Sequence, residues 1–139
     1  MRAVADTSVI VAASLDGGAA QPACAEALTA SDAAAAGHAW FESYSVLTRL
    51  PGDVRLTPSQ AHQVLGSLLS GCRHLSASEQ RAFRQWLGAS SIAGGAVYDA
   101  LVGWTARASA LPLITRDVRA LPIYRSLGIE LLIIEPQLA

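Results

Sequence analysis

Short apolar runs alternate with longer helical stretches along nearly the whole chain, and that alternation leaves few architectures open. Ala3 to Ala5 reads as a buried strand that ends in Asp6-Thr7-Ser8, with Thr7 or Ser8 expected to cap the helix that follows. A second helix is predicted over Gln21 to Thr29, with Pro22 in its first turn. Ala33 to Ala36 is read as a short buried strand, although alanine by itself prefers helix. Ala39 to Leu50 is helical in pattern and is stopped by Pro51-Gly52. Thr57-Pro58 opens a further helix whose apolar face is Ala61, Val64, Leu65, Leu68 and Leu69. Ser76 and Glu79 form a capping box for the helix carrying Phe83, Trp86 and Leu87. After Gly94-Gly95 a helix is expected from Ala96 to Ser109, then a strand over Leu111 to Thr115, a short helix near Ala120 to Ser126, and a strand over Leu131 to Ile134. Strands that alternate with helices pair in parallel and need helices on both faces. The expectation is a three-layer α/β/α fold around a central, mostly parallel sheet, as a single domain over residues 1–139 without repeat or linker.

Composition narrows the chemistry. The chain is 139 residues long and 52% hydrophobic with 15% charged, which suits a filled core and excludes disorder. It contains no lysine, with ten arginines set against eleven carboxylates for a net charge of -1. The missing lysine excludes P-loop nucleotide hydrolysis, Schiff-base chemistry and receiver domains that pair acidic clusters with a lysine. A near-neutral net charge means that any nucleic-acid site must be a local arrangement of arginines around something acidic. Cys24 and Cys72 have no metal-ligand spacing and read as two small thiols of a reducing cytoplasm. No run of eighteen apolar residues exists to span a membrane. Arg2 followed by Val9 to Leu15 has a faint look of a secretory leader, but Asp6 interrupts it, so a cytoplasmic protein is expected.

Four carboxylates stand out. Ligands gather at the carboxyl ends of parallel strands, and both Asp6 and Asp117 follow predicted strands. Each could equally be a cap or turn residue. Asp99 lies in the first turn of a helix that is apolar nearly all round, sharing a side with Val102, Gly103 and Ala106. Glu42 shares a face with Val46 and Leu50, beside Trp40 and Phe41. A carboxylate in such a setting must be paired, protonated or bound to a cation. The plainer role for either is a rim residue bonded to a neighbouring helix end. Oxygen ligands without histidine or thiolate favour a hard ion, Mg²⁺ or Mn²⁺. His38, His62 and His74 fit no zinc-hydrolase spacing, and no nucleophile elbow is present.

Four blocks carry a resemblance: Val4-Ala5-Asp6-Thr7-Ser8-Val9-Ile10, Phe41 to Leu50, Tyr98-Asp99-Ala100-Leu101 and Leu113-Ile114-Thr115-Arg116-Asp117. In order and spacing the chain resembles the PIN-domain ribonucleases, specifically the VapC-type toxins of bacterial toxin–antitoxin pairs. The closing Tyr124 to Ile129 is similar to the segment that leads such chains into their last strand. The resemblance implies a PIN-like fold and a metal-binding, catalytic quartet of Asp6, Glu42, Asp99 and Asp117. It implies Thr7 and Thr115 as hydroxyls that orient those carboxylates. It also implies an RNA substrate cut by metal-activated water to leave a 5′-phosphate and a 3′-hydroxyl, and a cognate antitoxin that blocks the site.

Arg49, seven residues and roughly 10 Å beyond Glu42 on its helix, and Arg116 are candidates for RNA phosphate contacts. The helical surface from Thr57 to Leu69 is a candidate for the antitoxin groove or for the contact of a homodimer. One rival is a phosphatase using Asp6 as nucleophile, but its usual second aspartate is replaced here by Ser8. Another is a catalytically silent PIN-like module that binds RNA or protein, which a complete quartet argues against.

Overall fold

The computed structural model describes residues 1–135. Residues 136–139, the end of the expected 1–139 unit, lie outside the described residues. Five short strands form one sheet: β1 (Val4–Ala5), β2 (Ala34–Ala36), β3 (Cys72–Arg73), β4 (Leu113–Thr115) and β5 (Leu131–Ile133). Their order is β3-β2-β1-β4-β5, and every pairing among them is parallel. The helices are α1 (Thr7–Ser14), α2 (Gln21–Ala30), α3 (Ala39–Thr48), α4 (Pro58–Leu68), α5 (Ala77–Gly88), α6 (Ala96–Ser109) and α7 (Leu121–Ser126), with single 3₁₀ turns at Gly52–Val54 and Val118–Ala120.

Side chains alternate across the sheet, as the period of two requires. Ala3, Ala5, Ala33, Ala35 and Ile114 turn to one face and pack with Val9 and Ile10 of α1, Leu28 of α2, Leu47 of α3 and Leu65 of α4. Val4, Ala36 and Leu113 turn to the other, against Val102 and Ala106 of α6 and Leu121 and Tyr124 of α7. A third cluster joins α5 to α6, with Phe83, Trp86 and Trp104 in ring contact at 5.2–6.1 Å between centroids. The three-layer expectation therefore holds. Among the described residues no helix is long and apolar enough to cross a membrane.

The alanine run is where local preference and tertiary context conflict, and context wins. Ala33 to Ala36 are all fully buried, and Ala34 N–H donates to the Ala3 carbonyl at 3.1 Å. A strand here satisfies its neighbours' backbone groups on both sides, and the small side chains let helices close on both faces. β3 was not expected at all. Its two residues are half-buried and have no strand pattern of their own; they pair because Ala35 N–H and Gly37 N–H donate to the carbonyls of Gly71 and Arg73 at 2.9 and 2.7 Å.

At the helix ends the reading is partly corrected. Asp6, rather than Thr7 or Ser8, is the N-cap of α1 and accepts from Val9 N–H at 3.4 Å. The Ser76–Glu79 capping box is present on α5, and Thr57–Gln60 forms a second one on α4. The apolar stripe of α4 is turned into the core, with Ala61 and Leu65 fully buried and Val64 and Leu68 packed against it. It leaves little apolar surface for the groove or homodimer contact expected there.

The topology positions the site. The chain lays down β1, β2 and β3 toward one edge, then returns through α5 and α6 to place β4 on the other side of β1. Connections that part in opposite directions open a crevice beyond the carboxyl ends of β1 and β4. The α6–α7 contact under that crevice depends on Gly103, where a Cβ would lie 2.6 Å from Leu127 Cδ1 and 3.2 Å from Tyr124 Cδ1. Leu127 can turn aside, but the buried Tyr124 ring cannot move without dragging its hydroxyl. Gly103→Ala should therefore destabilise the fold by about 1–3 kcal/mol, read as a lower urea midpoint; an unchanged midpoint would show that α7 yields freely.

Candidate active site

Asp6 follows β1 directly and caps α1, and the residue is only 4% exposed. Four donors converge on it. Ser8 Oγ donates to Oδ1 at 2.5 Å and Val9 N–H to the same oxygen, while Thr115 Oγ1 and Tyr124 Oη (3.0 Å) donate to Oδ2. These donors come from α1, β4 and α7, so one carboxylate ties together three elements. Burial pushes the Asp6 carboxyl above the usual aspartate range, and the four hydrogen bonds offset only part of that push. The Tyr124 hydroxyl is pushed far up by its own burial and by the nearby carboxylate, and so remains a donor.

The other three carboxylates approach the same crevice from separate elements. Glu42 is in the first turn of α3 and Asp99 in the first turn of α6, while Asp117 caps the 3₁₀ turn Val118–Ala120 by accepting from Arg119 N–H at 3.1 Å. With Asp6 as the α1 cap, all four sit where the positive end of a helix or turn favours an anion. They line one small cleft of about 70 Å³ with Thr7, Ser8, His38, Tyr98, Val102, Arg119 and Tyr124. Thr115 Oγ1 also accepts from Asp117 N–H at 3.0 Å, which links the loop after β4 to Asp6. Glu42 is less buried than expected, with a side chain 47% exposed and 3.5 Å from His38 Nε2. Asp99 and Asp117 share a cation: Arg119 Nη1 donates to Asp99 at 3.1 Å and Nη2 to Asp117 at 3.0 Å.

The remaining expected residues are distributed unevenly. Thr115 orients Asp6, as the hydroxyl role requires; Thr7 lines the cleft, but on α1 it is Ser8 that bonds the carboxylate. Ser8 also accepts from Arg116 N–H at 3.0 Å and so fixes the loop after β4 a second time. Arg116 faces an adjoining apolar groove rather than the cleft, and Arg49 is the exposed C-cap of α3, outside the cleft lining. Sequence reasoning missed Tyr124 and Arg119. A tyrosine on a buried helix face was the available signal for the first, since its hydroxyl must find a partner. Arg119 had no signal beyond standing two residues after Asp117. Phe41, Tyr98 and Val118, each next to a cleft carboxylate in the chain, are exposed at 61%, 59% and 59%.

A PIN domain model matches residues 3–125. The chain belongs to the PIN-domain family. Ribonuclease VapC40 of Mycobacterium tuberculosis is 44% identical over 94 residues, which cover 67% of this chain and 70% of that protein. Ribonuclease VapC27 of the same organism is 41% identical over 102 residues, covering 73% of this chain and 74% of the relative. The resemblance is thus to the VapC type in particular.

The PIN-domain cleft has donor chemistry suited to a hard divalent ion. The atoms it could offer an ion are carboxylate oxygens, one pair of them on a buried Asp6 that has no cationic partner among the described residues. The volume accommodates an ion with a water or two. Yet among the described residues no three His, Cys, Asp or Glu side chains already converge on one point. Two of the quartet are held by Arg119, and all of the Asp6 lone pairs have donors. The set has the right chemistry and must tighten to use it.

Because its pKa is raised in the folded state, ionised Asp6 works against folding at neutral pH. Its contribution is fully favourable below the ordinary aspartate range and is lost as pH rises through the raised value. Asp6→Asn keeps an oxygen acceptor, and the hydroxyls of Thr115 and Tyr124 can rotate to accept from its amide. The metal-free variant should melt at or above wild type at pH 7, and the difference should shrink toward pH 3. A variant that melts well below wild type at both values would show the charge itself to be a structural requirement.

Proposed function

We propose that this chain is an endoribonuclease dependent on Mg²⁺ or Mn²⁺, held by Asp6, Glu42, Asp99 and Asp117, and that it acts in the cytoplasm as the toxin of a toxin–antitoxin pair. The observation that carries the reading is that four carboxylates, each at the start of a helix or turn, line one cleft at the carboxyl ends of β1 and β4. The relatives named as ribonucleases support the reaction class.

A divalent ion in such a cleft supplies an activated water and neutralises charge on the leaving oxygen of a phosphodiester. The protein does the rest. Asp6 is the fixed member of the set, free to ligate once a hydroxyl such as Ser8 turns aside from it, while Glu42 on the open rim has freedom to adjust. Thr115 positions Asp117 relative to Asp6 through the shared hydroxyl. The chain's net charge of -1 gives RNA no general attraction, so the phosphate must be drawn by the ion and by nearby arginine. Exposed Tyr98 in the cleft lining offers a face on which an unstacked base can rest, which favours single strands and loops over duplex.

An apolar groove of about 560 Å³ adjoins the cleft, with Thr7 and Ser8 lining both. Its walls include Val11, Ala12, Leu15 and Val46. A cognate antitoxin would lay apolar residues of an extended or helical tail in this groove and present an arginine or lysine to the carboxylates. We retain a homodimer as the assembly of the free toxin, to be read by analytical ultracentrifugation.

Purified, partner-free protein should cut single-stranded RNA in Mn²⁺ and stop in excess chelator. Asp6→Asn or Asp99→Asn should remove nearly all turnover, about 10²-fold or more, while leaving the circular dichroism spectrum unchanged. Full cleavage in chelator would end the metal reading. Co-expressed with the product of the adjacent gene, the chain should be silent. Alanine at one basic residue of that partner's tail should restore cleavage without abolishing binding. If no tail substitution restores it, inhibition works from outside the cleft.

A further inference from the structure

We propose that Arg119 is a built-in counter-ion of the cleft: it occupies Asp99 and Asp117 until a divalent cation displaces it, and the released guanidinium then binds a backbone phosphate of the RNA. The inference rests on the metal-dependent reading above and assigns it a further binding residue.

The contacts are those of a cation filling a cation's place. The guanidinium meets both oxygens of Asp99, at 3.1 and 3.5 Å, and Asp117 Oδ2 at 3.0 Å. The two acids are only 17% and 27% exposed, whereas the Arg119 side chain is 70% exposed. Its stem is therefore not locked into the core and can swing out at little cost in packing. Arg119 is also anchored for such a swing. Its backbone N–H donates to Asp117 Oδ1, so the main chain stays at the cleft whichever way the side chain turns.

Occupancy and metal binding exclude each other. The oxygens of Asp99 and Asp117 that Arg119 now holds are ones that a bound cation would need, and a guanidinium beside that cation would be repelled. That exclusion accounts for a quartet that lines one cleft without any three of its acids converging. Before metal arrives, Arg119 relieves repulsion between two acids near a third, Asp6, that has no cationic partner among the described residues. After metal arrives, the nearest anion for the released fork is the phosphate that the ion has drawn in, and a guanidinium meets phosphate with two parallel hydrogen bonds. An antitoxin's basic residue aimed at the same acids must also displace Arg119.

The test combines Mn²⁺ binding without RNA, followed by electron paramagnetic resonance, with steady-state cleavage at saturating Mn²⁺. Arg119→Ala should bind Mn²⁺ about tenfold more tightly than wild type, since charge-assisted hydrogen bonds no longer compete. Arg49→Ala removes the same unit charge outside the cleft and should shift binding less than twofold. Arg119→Lys keeps the charge without the fork and should fall between wild type and the alanine variant. At saturating Mn²⁺, Arg119→Ala should raise KM for RNA about tenfold and change kcat much less. Equal tightening in Arg49→Ala and Arg119→Ala would reduce the effect to net charge and overturn the proposal. Unchanged or weaker Mn²⁺ binding in Arg119→Ala, or an unchanged KM, would overturn it as well. If wild type itself binds no Mn²⁺, the failure belongs to the metal reading and not to Arg119.

Discussion

The structure turns on a carboxylate that is almost wholly buried. Asp6 sits at the end of the central strand, with donors from Ser8, Val9, Thr115 and Tyr124 supplied by three other elements. A buried charge without a cation is costly, and each donor reduces that cost only while its element stays in place. The same contacts that hold Asp6 therefore hold α1, β4 and α7 in register. Gly103 belongs to this arrangement at one remove, because it gives the Tyr124 ring room to bring its hydroxyl within reach.

Around this fixed point the other acids have graded freedom. Thr115 connects Asp117 to Asp6 through one hydroxyl, Asp99 is held mostly by Arg119, and Glu42 stands on the rim next to His38. The gradient runs from a fixed floor to an adjustable edge, as the proposed closure on an ion and then on RNA would require. The helix and turn starts that carry all four acids lower the cost of assembling like charges. They do not remove it, and Arg119 is the residue that answers the remainder.

The PIN-domain relatives give this geometry its reaction class, and the geometry indicates how a near-neutral protein can act on a polyanion. In the proposed reading, positive charge would be concentrated at one place by a bound cation and by Arg119, two residues from Asp117, rather than spread over a basic face. The exposed Tyr98 in the cleft lining adds aromatic surface there without adding charge.

Much of this was legible in the residues alone. Strand and helix alternation led to a parallel α/β/α fold, and capping signals such as Ser76–Glu79 placed helix starts, because both depend on neighbours within a few positions. Asp6, Glu42, Asp99 and Asp117 were legible as a quartet through the family resemblance, whereas position alone left cap or rim roles open for each of them. What depended on distant parts of the chain was not legible. β3 exists only because β2 presents unpaired backbone groups to it, and α4 spends its apolar stripe on the core because α1 and α3 leave it no other place. Arg116 looked like a cleft residue and faces the neighbouring groove, while Arg119, with nothing local to mark it, bridges two acids that lie eighteen positions apart in the chain. A flexible cation's partner is chosen by where folding brings the acids, and only the tertiary structure decides that.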